Sequence, residues 1–283
     1  MRSISDPDHT GRLLLVPAAV FALFPLVWIV SSSVNAVDNL STARIIPRHL
    51  TVDNFVELFT NPLTPFGTWI WNTWKVAVVA ALGNVALAAL AAFAFSRLQF
   101  RGRRVGLLSL VLVQVFPQFL GFIALFLLGQ QIGDVADFVG LNTHGYLILV
   151  YLGGAVGFNA FLIKGYMDTV PGSLDESAAV EGASLWQVFA RVILPLSRPV
   201  LAVIFIITFI GFYSEYILAR TLLRSTDNMT LALGLQLFVS SDYSARWGNL
   251  SAAALIGAAP IVLTFLLAQR QIIGGLTRGA VKG

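Results

Sequence analysis

Six stretches of this chain contain no Asp, Glu, Lys or Arg: residues 13–37, 76–96, 105–133, 145–163, 199–214 and 247–269. A helix needs about 20 residues to cross the hydrocarbon core of a bilayer, and all but the fifth run approach or exceed that length. In the fifth, Glu215 is the single charge before Arg220. Membrane-spanning strands alternate in segments of about ten residues, a period these runs lack. Ser, Gly, Ala and Pro recur inside them, as close helix packing in lipid allows. The pattern predicts an all-α polytopic membrane protein. It has one transmembrane domain over 1–283, with six transmembrane helices near 13–35, 70–96, 105–131, 144–165, 197–220 and 248–270.

Composition agrees. Hydrophobic residues make up 57% and charged residues 11%, with a mean hydropathy of +0.81, whereas soluble domains average about 25% charged. The net charge of +4 and pI near 9.7 are compatible with nucleic acid, but the placement of the basic residues fits a membrane surface. With the N-terminus inside, the inner segments hold Arg2, Arg12, Arg97, Arg101, Arg103, Arg104, Lys164, Arg191, Arg198, Arg270, Arg278 and Lys282. The outer ones hold Arg44, Arg48, Arg220, Arg224 and Arg246. Twelve against five predicts both termini in the cytoplasm. Trp69, Trp71, Trp74 and Trp247 then fall at the outer interface, where aromatic belts form. Arg12 and the apolar run ending at Val34-Asn35-Ala36 loosely match a signal peptide, but the run exceeds the usual 7–15 residues, so the first helix is read as retained.

The chemistry of most enzymes is missing. There is no cysteine, and His9, His49 and His144 are scattered. None of the three lysines, Lys75, Lys164 and Lys282, is followed by the Ser or Thr that a phosphate-cradling P-loop requires. Gly-x-Ser-x-Gly and His-Glu-x-x-His patterns are also absent. The chain reads as a non-enzyme with no cofactor of its own.

The inner segment from Lys164 to Arg198 is far longer than the two to eight residues or so that reverse a pair of helices. Ser173–Glu176 and Ser184–Gln187 are capping-box patterns, with Gly182 between them where a helix can end left-handed. Leu185, Val188, Phe189 and Val192 form an apolar stripe, with Trp186 off it, and Pro171 and Pro195 bracket the element. This pattern suits either an interfacial helix on the membrane or a knob for a cytoplasmic partner. Inside the membrane runs, polar residues are costly and become candidates for a pathway: Gln114 and Gln118 around Pro117, Asn84, Asn159 and Glu215, with Tyr213 and Tyr216 beside the last. Each amide serves equally as interhelical glue. Glu215 lies about 16 residues of rise from Pro199, near the outer interface, where it pairs with an arginine or faces a cavity.

Glu176-Ser177-Ala178, three residues, Gly182, nine residues and Val192-Ile193-Leu194-Pro195 resemble the EAA signature of ABC importer permeases, with Ser177 and Val192 as conservative departures. Ile46-Pro47, Thr51–Phe55, Asn72–Val76 and Phe95–Phe100 are similar to carbohydrate-type permeases. Gln269-Arg270 with the tail Gly274–Gly283, Glu215–Ala219 and Tyr243–Trp247 are similar to the smaller, six-helix permease of maltose importers.

The resemblance implies a type I importer fold in the bacterial cytoplasmic (inner) membrane. It implies a cytoplasmic coupling helix between helices 4 and 5 in a loop at 166–195, and an ATPase-coupling set of Glu176, Ser177, Ala178, Gly182, Val192, Leu194 and Pro195. It also implies that the tail 271–283, with Gly275, Thr277 and Lys282, meets the ATPase, although its composition alone suggests a flexible linker or a lipid anchor. Loop 223–241 would reach into a receptor, and Gln114, Gln118, Asn159, Tyr213 and Glu215 are candidate pathway residues. The implied partners are a larger second sugar permease, a homodimeric ATPase that uses ATP and Mg, and an extracytoplasmic sugar-binding protein. The implied cargo is maltose/maltodextrin, with trehalose or another oligosaccharide as the alternative. A self-sufficient secondary transporter or channel is disfavoured by the lack of internal repeats and of further membrane carboxylates.

Overall fold

The computed structural model describes residues 9–36, 45–239 and 246–280. The chain forms two compact units, one from 1–67 with 234–259 and the other from 68–233 with 260–283.

The first unit contains α1 (His9–Ser33), an isolated antiparallel bridge between Asn35 and Leu50, and α2 (Asp53–Thr60). Asn54 is its hub. Its Nδ2 donates to the carbonyls of Ser33 (3.0 Å) and Asn35 (2.9 Å), and its own carbonyl accepts from Asn249 Nδ2 at 3.2 Å. Arg246 pairs with Glu57, which also accepts from Asn249. The Asn54 amide thus ties α2 to the end of α1, where carbonyls have no helical partner of their own.

The second unit carries the elements of interest. Helix α3 (Phe66–Arg97) is rich in alanine, and Ala77, Ala80, Ala81, Ala88, Ala89 and Ala92 are almost free of solvent. Side chains this small let neighbouring helices approach closely. Trp69 is fully buried and donates from Nε1 to Thr226 O at 2.9 Å, so it is a core residue and not part of an aromatic belt. Trp71 and Trp74 are exposed and stacked at 5.3 Å.

The single third helix expected at 105–131 is divided into α4 (Arg103–Val113) and α5 (Phe122–Gly133), with a 3-10 turn at Gln118–Gly121. Pro117 lacks an N–H and disfavours helical geometry at the residue before it; its own backbone is extended, with ψ 112°. Helix α6 (His144–Met167) is capped by Thr143, whose Oγ1 accepts from Tyr146 N, and bends by 50° between Gly154 and Val156. The loop then forms α7 (Ser173–Val180) and α8 (Leu185–Val188), a π turn at Phe189–Ile193 and α9 (Leu194–Leu196). Helix α10 (Arg198–Tyr213) leaves this segment at 75°. The fifth expected helix stops at Tyr213 and resumes as α11 (Ile217–Leu222), followed by α12 (Leu231–Leu237).

The last helix, α13 (Trp247–Ala280), continues through most of the expected tail, so the backbone at Gly275 and Thr277 is helical and not a linker, while Lys282 lies outside the described residues. Among the described residues, Leu15–Ser33, Phe66–Arg97 and Trp247–Leu267 are long and apolar enough to cross a membrane. The bent pairs 144–167 and 185–213 reach that length as pairs, and Phe119–Gly133 is apolar but shorter. The fold is therefore polytopic and helical, with the third expected span broken.

Candidate coupling hairpin and transmembrane cavity

The loop after α6 is a hairpin closed by its own backbone. Gly182 has φ +82°, a left-handed conformation open to glycine at little cost. Gly182 N–H donates to Ala179 O and Ala183 N–H to Ala178 O, both at 3.0 Å. This is the paired 6→1 and 5→2 bonding of a Schellman end, and it accounts for the Glu-Ser-Ala spacing to Gly182. Ser177 satisfies its own hydroxyl on Ser173 O at 2.8 Å, so serine fits where the motif has alanine. Ser184 opens α8 with a full capping box with Gln187. The first expected box does not form: Gly172, which has no side chain to offer, is the N-cap of α7, and Ser173 is already its first helical residue.

The expected stripe along α8 is shifted. Val188 and Phe189 are buried and Val192 is half-buried, but Leu185 is 63% exposed and Ile193 takes the fully buried place. The cause is the π turn, in which Leu194 N–H bonds to Phe189 O. Pro195 supplies no N–H, and its ring would crowd the carbonyl four residues before it in a regular helix. The returning arm packs through Val188, Phe189 and Ile193 against Phe93 and Ala92 of α3 and Ala160, Ile163 and Met167 of α6. Outward, Leu174, Val180, Leu185 and Trp186 are exposed at 41%, 91%, 63% and 64%, flanked by exposed Glu176 and Glu181. Ala178 is half-buried under the turn, and Leu194 and Pro195 lead into α10.

A cavity of about 690 Å³ lies among α4, α5, α6, α10 and α11. Leu110, Gln114, Tyr151, Gly154, Phe212 and Glu215 are among its lining residues. Gln114 Nε2 donates to Gly154 O at 3.1 Å, satisfying a carbonyl next to the bend of α6. Gly157 lets α4 and α6 approach: a Cβ there would stand 2.7 Å from Leu110 O, whereas one on Gly153 would meet nothing. Glu215 has no arginine partner among the described ion pairs. Its Oε1 accepts from Leu218 N–H (2.7 Å), and its Oε2 from Ala219 N–H (2.9 Å) and Tyr151 Oη (2.8 Å). The carboxylate thus caps the first turn of α11, where negative charge is favoured, and faces the cavity.

Of the other pathway candidates, Asn159 and Tyr213 are buried in the bundle and do not line the cavity. Asn159 Nδ2 donates to Asn84 Oδ1 (2.6 Å) and to Thr208 Oγ1 (3.1 Å), joining α6 to α3 and α10. Tyr213 packs 5.6 Å from the Phe209 ring. The backbone of Gln118 sits in the 3-10 turn, and its side chain lies outside the described residues.

Loop 223–241 begins pinned. Asn142, left-handed at φ 64°, accepts from Arg224 N and Ser225 N, while Asn72 Nδ2 holds the carbonyls of Asp227 and Met229. Leu231 N–H donates to Thr73 Oγ1, Leu223 is fully buried, and 240–245 lie outside the described residues. Tyr151, Thr208 and Asn142 are hydrogen-bond partners of the candidate residues and of loop 223–241 that sequence reasoning missed. Their pairings join residues dozens of positions apart, and the sole local signal was Asn142 ahead of a Thr-capped helix.

The sequence pattern of the family described as "Binding-protein-dependent transport system inner membrane component" matches residues 84–273. Relatives include "Maltose/maltodextrin transport system permease protein MalG" of Photorhabdus laumondii, 40% identical over 299 residues and 100% of both chains. The protein of the same name from Escherichia coli K12 is 42% identical over 282 residues, covering 96% of this chain and 94% of the relative. The crystal structure of a bacterial ABC transporter involved in the import of the acidic polysaccharide alginate aligns with a TM-score of 0.78 at 23% identity, over 95% of this chain and 99% of that one. A complex of the alginate transporter with its pentasaccharide-bound periplasmic protein aligns with a TM-score of 0.63 at 20% identity, over 92% and 93%. Both structures bear on the fold alone. The family pattern spans most of the chain, the relatives match it end to end, and so this chain belongs to the inner membrane components of binding-protein-dependent transport systems.

Proposed function

We propose that this chain is the permease subunit of an ATP-driven importer for maltose and maltodextrins. The observation that carries the reading is identity of 40–42% along nearly the whole length of relatives bearing that name. The chain supplies half of a translocation pathway, with a larger second permease as the other half. A homodimeric ATPase uses ATP and Mg in the cytoplasm, and a sugar-loaded binding protein docks outside. This chain spans the membrane six times with both termini cytoplasmic: α4 with α5 makes the third span and α10 with α11 the fifth. The basic residues, twelve inner against five outer, favour that orientation.

The hairpin carries Glu176, Ser177, Ala178 and Gly182 outward as a compact knob whose exposed apolar tip suits a cleft in the ATPase. Val192, Leu194 and Pro195 join it to α10, and the helical tail through Gly275 and Thr277 toward Lys282 reaches the same ATPase. Alternating access requires two states of the bundle that bind ATP-closed ATPase and loaded receptor with different free energies. Gln114 and Glu215 line the cavity that opens into the pathway, Gln118 lies at the break above it, and Asn159 and Tyr213 fix its walls.

The test is purification of the chain from its native membrane in detergent, followed by ATPase assays. Co-purification with a second permease and an ATPase, and stimulation by loaded binding protein with maltose, is the expected result. Stimulation by trehalose alone keeps the machine and changes the sugar. A chain that purifies alone and moves solute without ATP contradicts the reading.

A further inference from the structure

We infer that Arg97 is the positioning residue of the coupling hairpin, fixing the direction in which α7 leaves the bundle. The inference rests on the coupling role proposed above. Arg97 is the last residue of α3, and its guanidinium reaches three partners. Nη1 donates to Ser96 Oγ at 3.3 Å, Nη2 donates to Val170 O at 2.9 Å, and Nε lies 2.6 Å from Asp175 Oδ2. Val170 belongs to the link between α6 and α7. Asp175 is in the first turn of α7, next to Glu176. One side chain anchored on α3 therefore holds both the approach to α7 and its first turn.

The Nε–H is not aligned on the carboxylate, so that contact is electrostatic, and the directional bond is the one to Val170. The side chains of Arg97 and Asp175 are 15% and 22% exposed, which limits screening by solvent and salt. Asp175 Oδ1 is buried and accepts no hydrogen bond among the described residues, so Arg97 is what offsets its charge. Removing one member of a largely buried pair leaves the other uncompensated, which costs more than the pair itself contributes. A lysine would keep the charge but not the planar fork that spans several partners at once.

The base of this clamp is itself fixed. Ser96 Oγ donates to Asp168 Oδ1 at 2.6 Å, and Asp168, at the end of α6, pairs with Lys164. Arg103 donates to the carbonyls of Phe95 and Ser96, which lack helical partners at the end of α3. At the other arm of the hairpin, Phe93 of α3 meets the Phe189 ring at 5.0 Å. Helix α3 thus grips the entering arm through Arg97 and the returning arm through Phe93. A hairpin held at both arms by one helix transmits its displacement to that helix.

The test measures sugar transported per ATP hydrolysed by the complete importer, with its binding protein, in proteoliposomes. Arg97→Gln and Asp175→Asn are expected to hydrolyse ATP while the sugar-to-ATP ratio falls about fivefold or more. Arg97→Lys is expected to fall between these and the wild type, and the double variant Arg97→Gln/Asp175→Asn to fall no further than Arg97→Gln alone. A purely structural role would lower the yield of complex and leave the ratio unchanged. If Arg97→Gln does not assemble, Asp175→Asn reads the same contact. Unchanged ratios in Asp175→Asn and in any assembled Arg97→Gln, beside a defective Glu176→Ala, overturn the positioning role alone. Unchanged ratios in all three overturn the docking reading with it.

Discussion

The hairpin and the cavity differ in how far their hydrogen bonds reach along the chain. In the hairpin, Ser184 bonds Gln187 three residues away, and Ser177 bonds Ser173 four away. Around the cavity, Gln114 reaches Gly154 over 40 residues and Tyr151 reaches Glu215 over 64, while Asn159 reaches Asn84 over 75. The hairpin therefore keeps its shape by itself and needs the bundle only as a base. The cavity exists only while several helices hold one register, and any element that shifts one of them reshapes it. In the importer proposed above, a locally bonded knob would act on a cavity whose shape depends on the register of several helices.

The first way to break this contrast is Gly157→Val. The new Cβ would press on the Leu110 carbonyl, which is backbone and yields poorly, so overpacking is expected to cost about 1–3 kcal/mol. Thermal unfolding in detergent should show a lowered Tm with the hairpin's chemistry untouched. Gly182→Val is the mirror experiment. A side chain at φ +82° costs about 1–2 kcal/mol, but the turn is exposed, so Tm should change little while the ATPase no longer co-purifies. If Gly182→Val instead melts the bundle, the hairpin is not self-contained.

Asn159→Leu sharpens the other side. Interhelical hydrogen bonds within a membrane average about 0.6 kcal/mol, with a maximum near about 1.7, and Asn159 makes two of them. A modest fall in Tm is expected, and a double-mutant cycle with Thr208→Val should be non-additive because the two share a bond.

The smallest effect concerns Asp168 at the cytoplasmic end. Burial raises its carboxyl, but hydrogen bonds from Lys164 and Ser96, and the charges of Lys164 and Arg103, outweigh this and hold it below the ordinary range. Its contribution is fully present above the unfolded value of about 3.9 and fades as pH falls through the depressed folded one. Asp168→Asn should therefore show a slightly flatter loss of stability in acid, measured by unfolding against pH.

The same difference in sequence separation decides what could be read from sequence. The Glu176–Pro195 spacing, the turn at Gly182 and the box at Ser184 are local, and each was legible as residues a few positions apart. Even there, Ser173 misled, because the chain was already helical at that point, and the stripe moved when Pro195 forced a π turn. Helix α3 was legible because residues 76–96 within it are uncharged and rich in small residues. The break at Pro117 was not, since a proline in an apolar run fits either a kink or a full interruption. Tyr151 gave no sign of holding Glu215, because a pairing over 64 residues leaves no pattern within a window. Trp69 was misread for the same reason: its partner at Thr226 lies 157 residues on.

The most direct test uses the absence of cysteine from the chain. Single cysteines at Val180 and Trp186, 91% and 64% exposed on the hairpin, and at Val135, 89% exposed after α5, would be cross-linked in native membranes with a short thiol-reactive reagent. Cross-links from Val180→Cys and Trp186→Cys to the ATPase subunit, dependent on nucleotide, with none from Val135→Cys, are the predicted result. Efficient labelling at all three positions with ATPase cross-links from none, or from Val135→Cys alone, would contradict the hairpin's role in coupling.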